Sequence, residues 1–146
     1  MAMKPWYKII TPREDLRDGK PLDASEFAVH LDHVRDGRAP AVYQNPAEFF
    51  ERTFLTKNLR EPSAQVVRRL SGGKLETSAI FNLSTQFGGG KTHSLTLLFH
   101  LAQNGESAKS WKGVSGILQD AGVASVPKAA TAIFVVAPPE FLRDLG

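Results

Sequence analysis

The residues with the clearest potential for chemistry lie in the run Ser84–His93, which reads Ser-Thr-Gln-Phe-Gly-Gly-Gly-Lys-Thr-His. Consecutive glycines tolerate positive φ angles, so their backbone N–H groups can turn toward a bound anion. A helix that starts after such a loop favours phosphate at its N-terminus, a lysine adds a full positive charge, and a threonine hydroxyl can ligate Mg²⁺. The run therefore predicts a Walker-A-type loop that binds ATP and Mg²⁺. The predicted nucleotide contacts are Gly88, Gly89, Gly90, Lys91 and Thr92, with Thr92 also the ligand of the nucleotide's Mg²⁺.

The match to the consensus G-x-x-x-x-G-K-[ST] is incomplete at its first position. That glycine would fall at position 85, where this chain has Thr85, whereas Gly90, Lys91 and Thr92 are all in place. The alternative is a structural glycine-rich turn followed by an ordinary lysine at a helix N-terminus. That alternative gives no reason for three glycines directly before Lys-Thr, so the sequence favours phosphate binding.

The remaining polar candidates are less specific. Gln86 and His93 flank the glycines and could contact a nucleotide or lie at the loop edge without a function. His30, His33 and His100 are spread over two predicted helices, with His30 and His33 on the first and His100 on the helix after the loop, without the spacing of metal ligands. Because His100 lies within an apolar helix, we expect it to be a hydrogen-bonded core histidine. The absence of cysteine excludes disulfides, zinc–thiolate sites, cysteine nucleophiles and iron–sulfur clusters.

Two apolar segments would position the loop. Ala79–Leu83 is short and β-rich, the helix after the loop extends to Asn104, and Thr131–Val136 is a second β-rich segment. A further helix is expected over residues 114–120. The order strand, loop, helix, strand predicts an α/β fold, in which residues 75–146 form the first, incomplete part of a P-loop core with a parallel sheet.

Residues 1–74 are predicted to form an irregular and helical N-terminal region. Asp23–Glu26 has the form of a capping box, and its helix should end at Gly37. A second helix should start at Asn45-Pro46. We expect Pro62 to interrupt the helical pattern, so that a third helix starts after it. The apolar residues of the last two helices are expected in the core, although the phenylalanines could instead form an aromatic binding surface. They are Phe49, Phe50, Phe54, Val66, Val67 and Leu70.

Composition limits the classes of function. The chain has 146 residues and a net charge of +3, and its basic excess lies within residues 1–74, where acidic residues are interleaved. Mixed charge is typical of a solvated surface, so DNA binding is only weakly supported. No signal peptide is recognisable, and the longest apolar run, residues 132–137, is too short to span a bilayer. The sequence predicts a cytoplasmic chain without membrane contact.

Hydrolysis would need an acidic residue at the end of an apolar strand to hold Mg²⁺. The second predicted strand runs into Pro138-Pro139 before any acid, and Asp120 falls in a predicted helix. The catalytic residues are therefore unknown, and we expect no turnover from this chain alone.

Four segments, in this order, resemble the start of a family of large bacterial proteins: Pro5–Lys8, Thr11–Asp15, Leu22–Ala28 and Gln86–His93. The family consists of predicted P-loop ATPases that carry a domain of unknown function and are often encoded beside DNA methyltransferases in phage-defence loci. The resemblance covers about residues 4–136. It implies an AAA-like nucleotide-binding core behind a helical leader.

The same resemblance implies nucleotide contacts at residues 88–92, and as partners the rest of a longer ATPase chain or other defence-system proteins. The chain leaves the family pattern at about Ala137, which predicts a fragment. The alternative function is a non-enzymatic module, in which the helices of residues 23–71 bind a protein or DNA and the glycine-rich loop is structural.

Overall fold

The computed structural model describes residues 4–12, 14–19, 29–72, 77–84 and 90–135. Three features predicted from the sequence lie outside these ranges: the capping box at residues 23–26, the domain boundary at residue 74, and the first two glycines of the motif, Gly88 and Gly89. The motif residues Gly90, Lys91 and Thr92 lie inside them.

All regular secondary structure in the described ranges is helical. The α-helices are α1 (Glu14–Arg17), α2 (Leu31–Arg35), α3 (Ala41–Gln44), α4 (Pro46–Arg52), α5 (Lys57–Leu70), α6 (Lys91–Asn104) and α7 (Val114–Ala121). Two 3₁₀ segments accompany them, Trp6–Lys8 and Gly105–Ser110. Among these residues no helix is both long and apolar enough to cross a membrane.

The predicted α/β fold with a parallel sheet is wrong for this structure, because none of the described residues forms a strand. Residues 79–83 and 131–135 are non-helical but make no ladder, and Ile80 and Phe134 are 82% and 89% exposed. Apolar and β-branched residues fit any extended backbone, whereas a strand exists only when a neighbouring strand supplies hydrogen bonds. The sequence pattern therefore indicated an extended backbone but did not show whether a second strand would pair with it.

The second of these segments is held by helices instead. The Ala129 backbone N–H donates to the carbonyl of Ala102 near the end of α6, at 2.9 Å. Nearer the end of the described chain, the Arg35 guanidinium of α2 donates to the carbonyl of Ile133 at 3.2 Å. The second bond uses a carbonyl of the segment itself, whereas Ala129 lies just before it.

Two predicted helix boundaries in the first half are confirmed, the start at Asn45-Pro46 and the end at Gly37, but α2 begins only at Leu31, because His30 before it is extended. Asn45 caps α4, its side-chain Oδ1 accepting from the backbone N–H groups of Ala47 at 3.1 Å and Glu48 at 3.4 Å. Gly37 follows α2 with a φ of +74°, a left-handed conformation that suits glycine.

The expected interruption at Pro62 is wrong, because α5 continues through it. Proline at this position removes one backbone donor near the start of a 14-residue helix. Burial of Ala64 and Val67 against the core offsets that loss, since each is at most 3% exposed.

The hydrophobic core lies between α4, α5, α6 and α7. Its buried members are Phe49, Phe50, Ala64, Val67, Leu97, Leu101, Ala108, Val114, Ile117, Leu118, Ala121 and Val126. Phe50 is fully buried and its ring lies 5.0 Å from that of Trp111. Phe54, also expected in the core, is 84% exposed, because α4 ends at Arg52 and Phe54 no longer follows its buried face.

Candidate functional site

The start of α6 carries the part of the predicted phosphate-binding motif that the structure describes. Gly90 is the N-cap residue, with φ +73° and ψ 17°, and the helix begins at Lys91. A Cβ atom at Gly90 would meet none of the described residues within 4 Å. Glycine is favoured here by the left-handed turn itself rather than by crowding.

The first turn of this helix presents polar backbone groups. As in every α-helix, the first N–H groups are not bonded to carbonyls of the helix itself, and they carry the positive end of the helix dipole. The carbonyl of Gly90 accepts from both the backbone N–H and the hydroxyl of Ser94, each at 2.9 Å. These two hydrogen bonds close the first turn, and the N–H groups of an α-helix point toward its N-terminal end.

His93 ties this turn to α4. Its Nε2 lies 3.1 Å from Oγ1 of Thr53, the residue that ends α4. Its ring lies 4.6 Å from the ring of Phe49 and 6.2 Å from that of Tyr43 in an edge-on arrangement. Burial lowers the pKa of His93 below its usual value. The neutral form of the His93 imidazole is therefore favoured. No pattern in the sequence indicated that Thr53, 40 residues away, would be the hydrogen-bond partner of His93.

His100 confirms the expectation of a hydrogen-bonded core histidine. It is 4% exposed, its Nε2 donates to the carbonyl of Tyr43 at 2.8 Å, and Phe49 lies against its ring at 5.4 Å. Burial lowers its pKa, and the hydrogen bond to Tyr43 partly opposes that effect. His93 and His100 thus both contact the ring of Phe49 from the same helix.

Comparison with protein families adds a decisive observation. The N-terminal domain of the DUF499 family matches residues 3–133, nearly the whole chain. The chain belongs to the DUF499 family. This agrees with the resemblance to proteins that carry a domain of unknown function. No curated protein and no solved structure matches the chain.

Within this DUF499 domain, the described residues contain no group of three or more histidine, cysteine or acidic side chains arranged to hold a metal ion. Asp120 of α7, an acid considered in the sequence, is bound by Arg60 of α5, whose Nη2 donates to Oδ1 at 2.7 Å. The hydrogen bonds from Arg60 lower the pKa of the Asp120 carboxyl. Asp120 therefore has a structural partner and lies on a helix, as predicted.

Proposed function

We propose that this DUF499 domain binds a nucleoside triphosphate, with ATP as the expected nucleotide, at the start of α6. The observation that carries the proposal is the left-handed Gly90 directly before Lys91-Thr92 at the N-terminus of a 14-residue helix. This arrangement supplies the turn, the amides and the positive charge that a triphosphate requires.

Each residue has a distinct role in this proposal. The backbone N–H groups of the first turn would donate hydrogen bonds to phosphate oxygens, and Lys91 would neutralise charge on the β- and γ-phosphates. The Thr92 hydroxyl would ligate Mg²⁺, which supplies charge neutralisation when the nucleotide is bound. The residues present fit such a ligand, because Gly90 is exposed and no atom of the described residues lies within 4 Å of its Cβ position. Gly88 and Gly89 complete the proposed loop from the sequence.

We also propose that nucleotide binding here serves a larger ATPase in phage defence. The resemblance of four ordered segments to such ATPases supports this wider role. The proposal concerns the loop and the helix only and does not need the parallel sheet that the sequence had suggested.

The test compares two lysines in matched positions. Lys91 and Lys57 are each the first residue of a 14-residue helix, but only Lys91 follows a glycine. Isothermal calorimetry with Mg-ATP should show binding by the wild type and by Lys57→Ala, and no binding by Lys91→Ala. Equal affinities for all three proteins would contradict the proposal, because a general effect of helix-terminal charge would not distinguish them.

The second candidate function is a helical interaction module. The ring of Phe54, between α4 and α5, is 84% exposed and would be a contact that such a module offers to a partner. A thermal melt separates the two functions. Mg-ATP at 100 times its Kd should stabilise a nucleotide-binding domain by roughly 2.7 kcal/mol, whereas it should leave an interaction module unchanged.

A further inference from the structure

The glycine-rich approach to α6 creates a positioning problem. Glycine adopts many backbone conformations, so Gly90 and the glycines before it cannot by themselves fix where the helix begins. Phosphate binding needs the amides of the first turn held to within about 0.5 Å. The buried residues of α6 begin at Thr96, so a contact made by the first turn itself would fix its position.

Thr53 provides such a contact. It is 7% exposed, and its hydroxyl donates to the carbonyl of Phe49 at 2.7 Å, four residues earlier. A hydroxyl has a single hydrogen, so its oxygen can only accept from a second partner. The ring nitrogen of His93, 3.1 Å away, must then be the donor.

This direction of donation fixes the state of His93. The Nε2 atom carries the hydrogen and Nδ1 carries the lone pair, which gives an ordered chain from His93 to Thr53 to the carbonyl of Phe49. The rings of Phe49 and Tyr43 hold the imidazole plane at the same time. Lys91 lies two residues before His93, so the hydrogen bond between His93 and Thr53 is made within the same helical turn as the proposed phosphate contacts.

We infer that Thr53 is a positioning residue for the proposed nucleotide site, acting through its hydrogen bond with His93. The inference rests on the proposed function and adds to it a residue remote in sequence. Thr53 does not touch the nucleotide; it determines where the amides of the α6 first turn lie.

The test uses a conservative pair of variants and a matched control in the full chain. Thr53→Val keeps the shape and removes the hydroxyl, and Thr53→Ser keeps the hydroxyl. Ser63→Ala is the control, because Ser63 is 2% exposed and donates to the carbonyl of Leu59 four residues earlier at 2.6 Å, as Thr53 does to Phe49. Circular dichroism establishes that each variant is folded at the temperature of the binding measurement.

Calorimetry with Mg-ATP should give a five- to tenfold weaker Kd for Thr53→Val, and values within twofold of wild type for Thr53→Ser and Ser63→Ala. Nitrogen-15 NMR should show His93 as the Nε2–H tautomer in the wild type and in Lys91→Ala, and a mixed tautomer in Thr53→Val. A merely structural role for Thr53 would weaken stability without this change in affinity.

The two proposals fail in different ways. Wild-type affinity in Thr53→Val, alongside lost binding in Lys91→Ala, overturns the positioning role and leaves the nucleotide site intact. Weak binding by Thr53→Ser overturns the role of the hydroxyl. An absence of binding by the wild type overturns the proposed function, and the positioning role with it.

Discussion

Gly105 ends α6 in a conformation that other residues rarely adopt, and its substitution tests the packing of the chain beyond the helix. It has φ +57° and ψ −127°, and a Cβ atom built there would lie 2.8 Å from Cβ, 2.9 Å from N and 3.0 Å from Cα of Lys128. Two of these atoms belong to the backbone, so no change of rotamer relieves the contact. Moving them would stretch the 2.9 Å bond from Ala129 to Ala102.

The cost of Gly105→Ala follows from two contributions. A non-glycine residue in a sparsely populated backbone region costs about 1–3 kcal/mol. Overpacking against atoms that must shift costs about 1–3 kcal/mol more. We therefore expect the free energy of unfolding to fall by about 2–6 kcal/mol, a large part of the 5–15 kcal/mol typical of a folded domain.

Gly122 is the matched control because it also ends a helix with positive φ but has open space around it. It follows α7 with φ +69° and ψ 33°, and nothing lies within 4 Å of its Cβ position. Gly122→Ala should cost only the left-handed strain, about 1–2 kcal/mol.

Urea unfolding followed by circular dichroism and by tryptophan fluorescence measures both variants. A variant Gly105→Ala that is unfolded without urea, beside a folded Gly122→Ala, agrees with the expectation. Equal losses in the two variants would refute the reasoning, since they would show that Lys128 does not confine position 105.

Three further changes test other parts of the structure. Phe50→Ala should cost about 3–5 kcal/mol in urea unfolding because it empties a fully buried site, whereas Phe54→Ala, at an 84% exposed ring, should change stability by less than about 0.5 kcal/mol. Asp120→Asn should lower the free energy of unfolding at neutral pH, because the partner Arg60 stabilises the ionised carboxyl. The difference in unfolding free energy between this variant and the wild type should shrink as the pH falls below 3.8, the ordinary pKa of the carboxyl. The wild type should lose stability between pH 7.5 and 5.5, because below the usual histidine pKa of 6.5 the unfolded chain binds a proton that the buried His100 ring disfavours. His100→Gln should reduce this loss, which amounts to at most about 1.4 kcal/mol of unfolding free energy per pH unit.

The sequence predicted local features of this fold well because their causes are local. Asn45-Pro46 starts a helix through a side chain that reaches two and three residues ahead, and Gly37 ends one through its own φ angle. The helix after the glycine motif and the burial of His100 follow from apolar periodicity.

The errors arise where a distant contact decides the outcome. Ile80 belongs to a segment with strand-like composition, but a sheet depends on a partner that composition does not specify. Pro62 is accommodated because α5 buries one face against the core, which outweighs a lost donor. The contact between Thr53 and His93 joins residues 40 apart, and neither residue type predicts the other.

Helix α6 connects the proposed nucleotide site to the part of the chain tested by Gly105. Its 14 residues span about 21 Å, and Leu97 and Leu101 bury its middle in the core. Because the buried middle separates the two ends of the helix, strain at Gly105 should lower global stability without displacing the first turn. Loss of the Thr53 hydroxyl should instead displace the first turn and lower nucleotide affinity more than Gly105→Ala does, measured where both variants are folded. A parallel fall in affinity for the two variants would mean that α6 unfolds as a single unit, and nucleotide binding would then depend on the stability of the whole helix rather than on its anchored first turn.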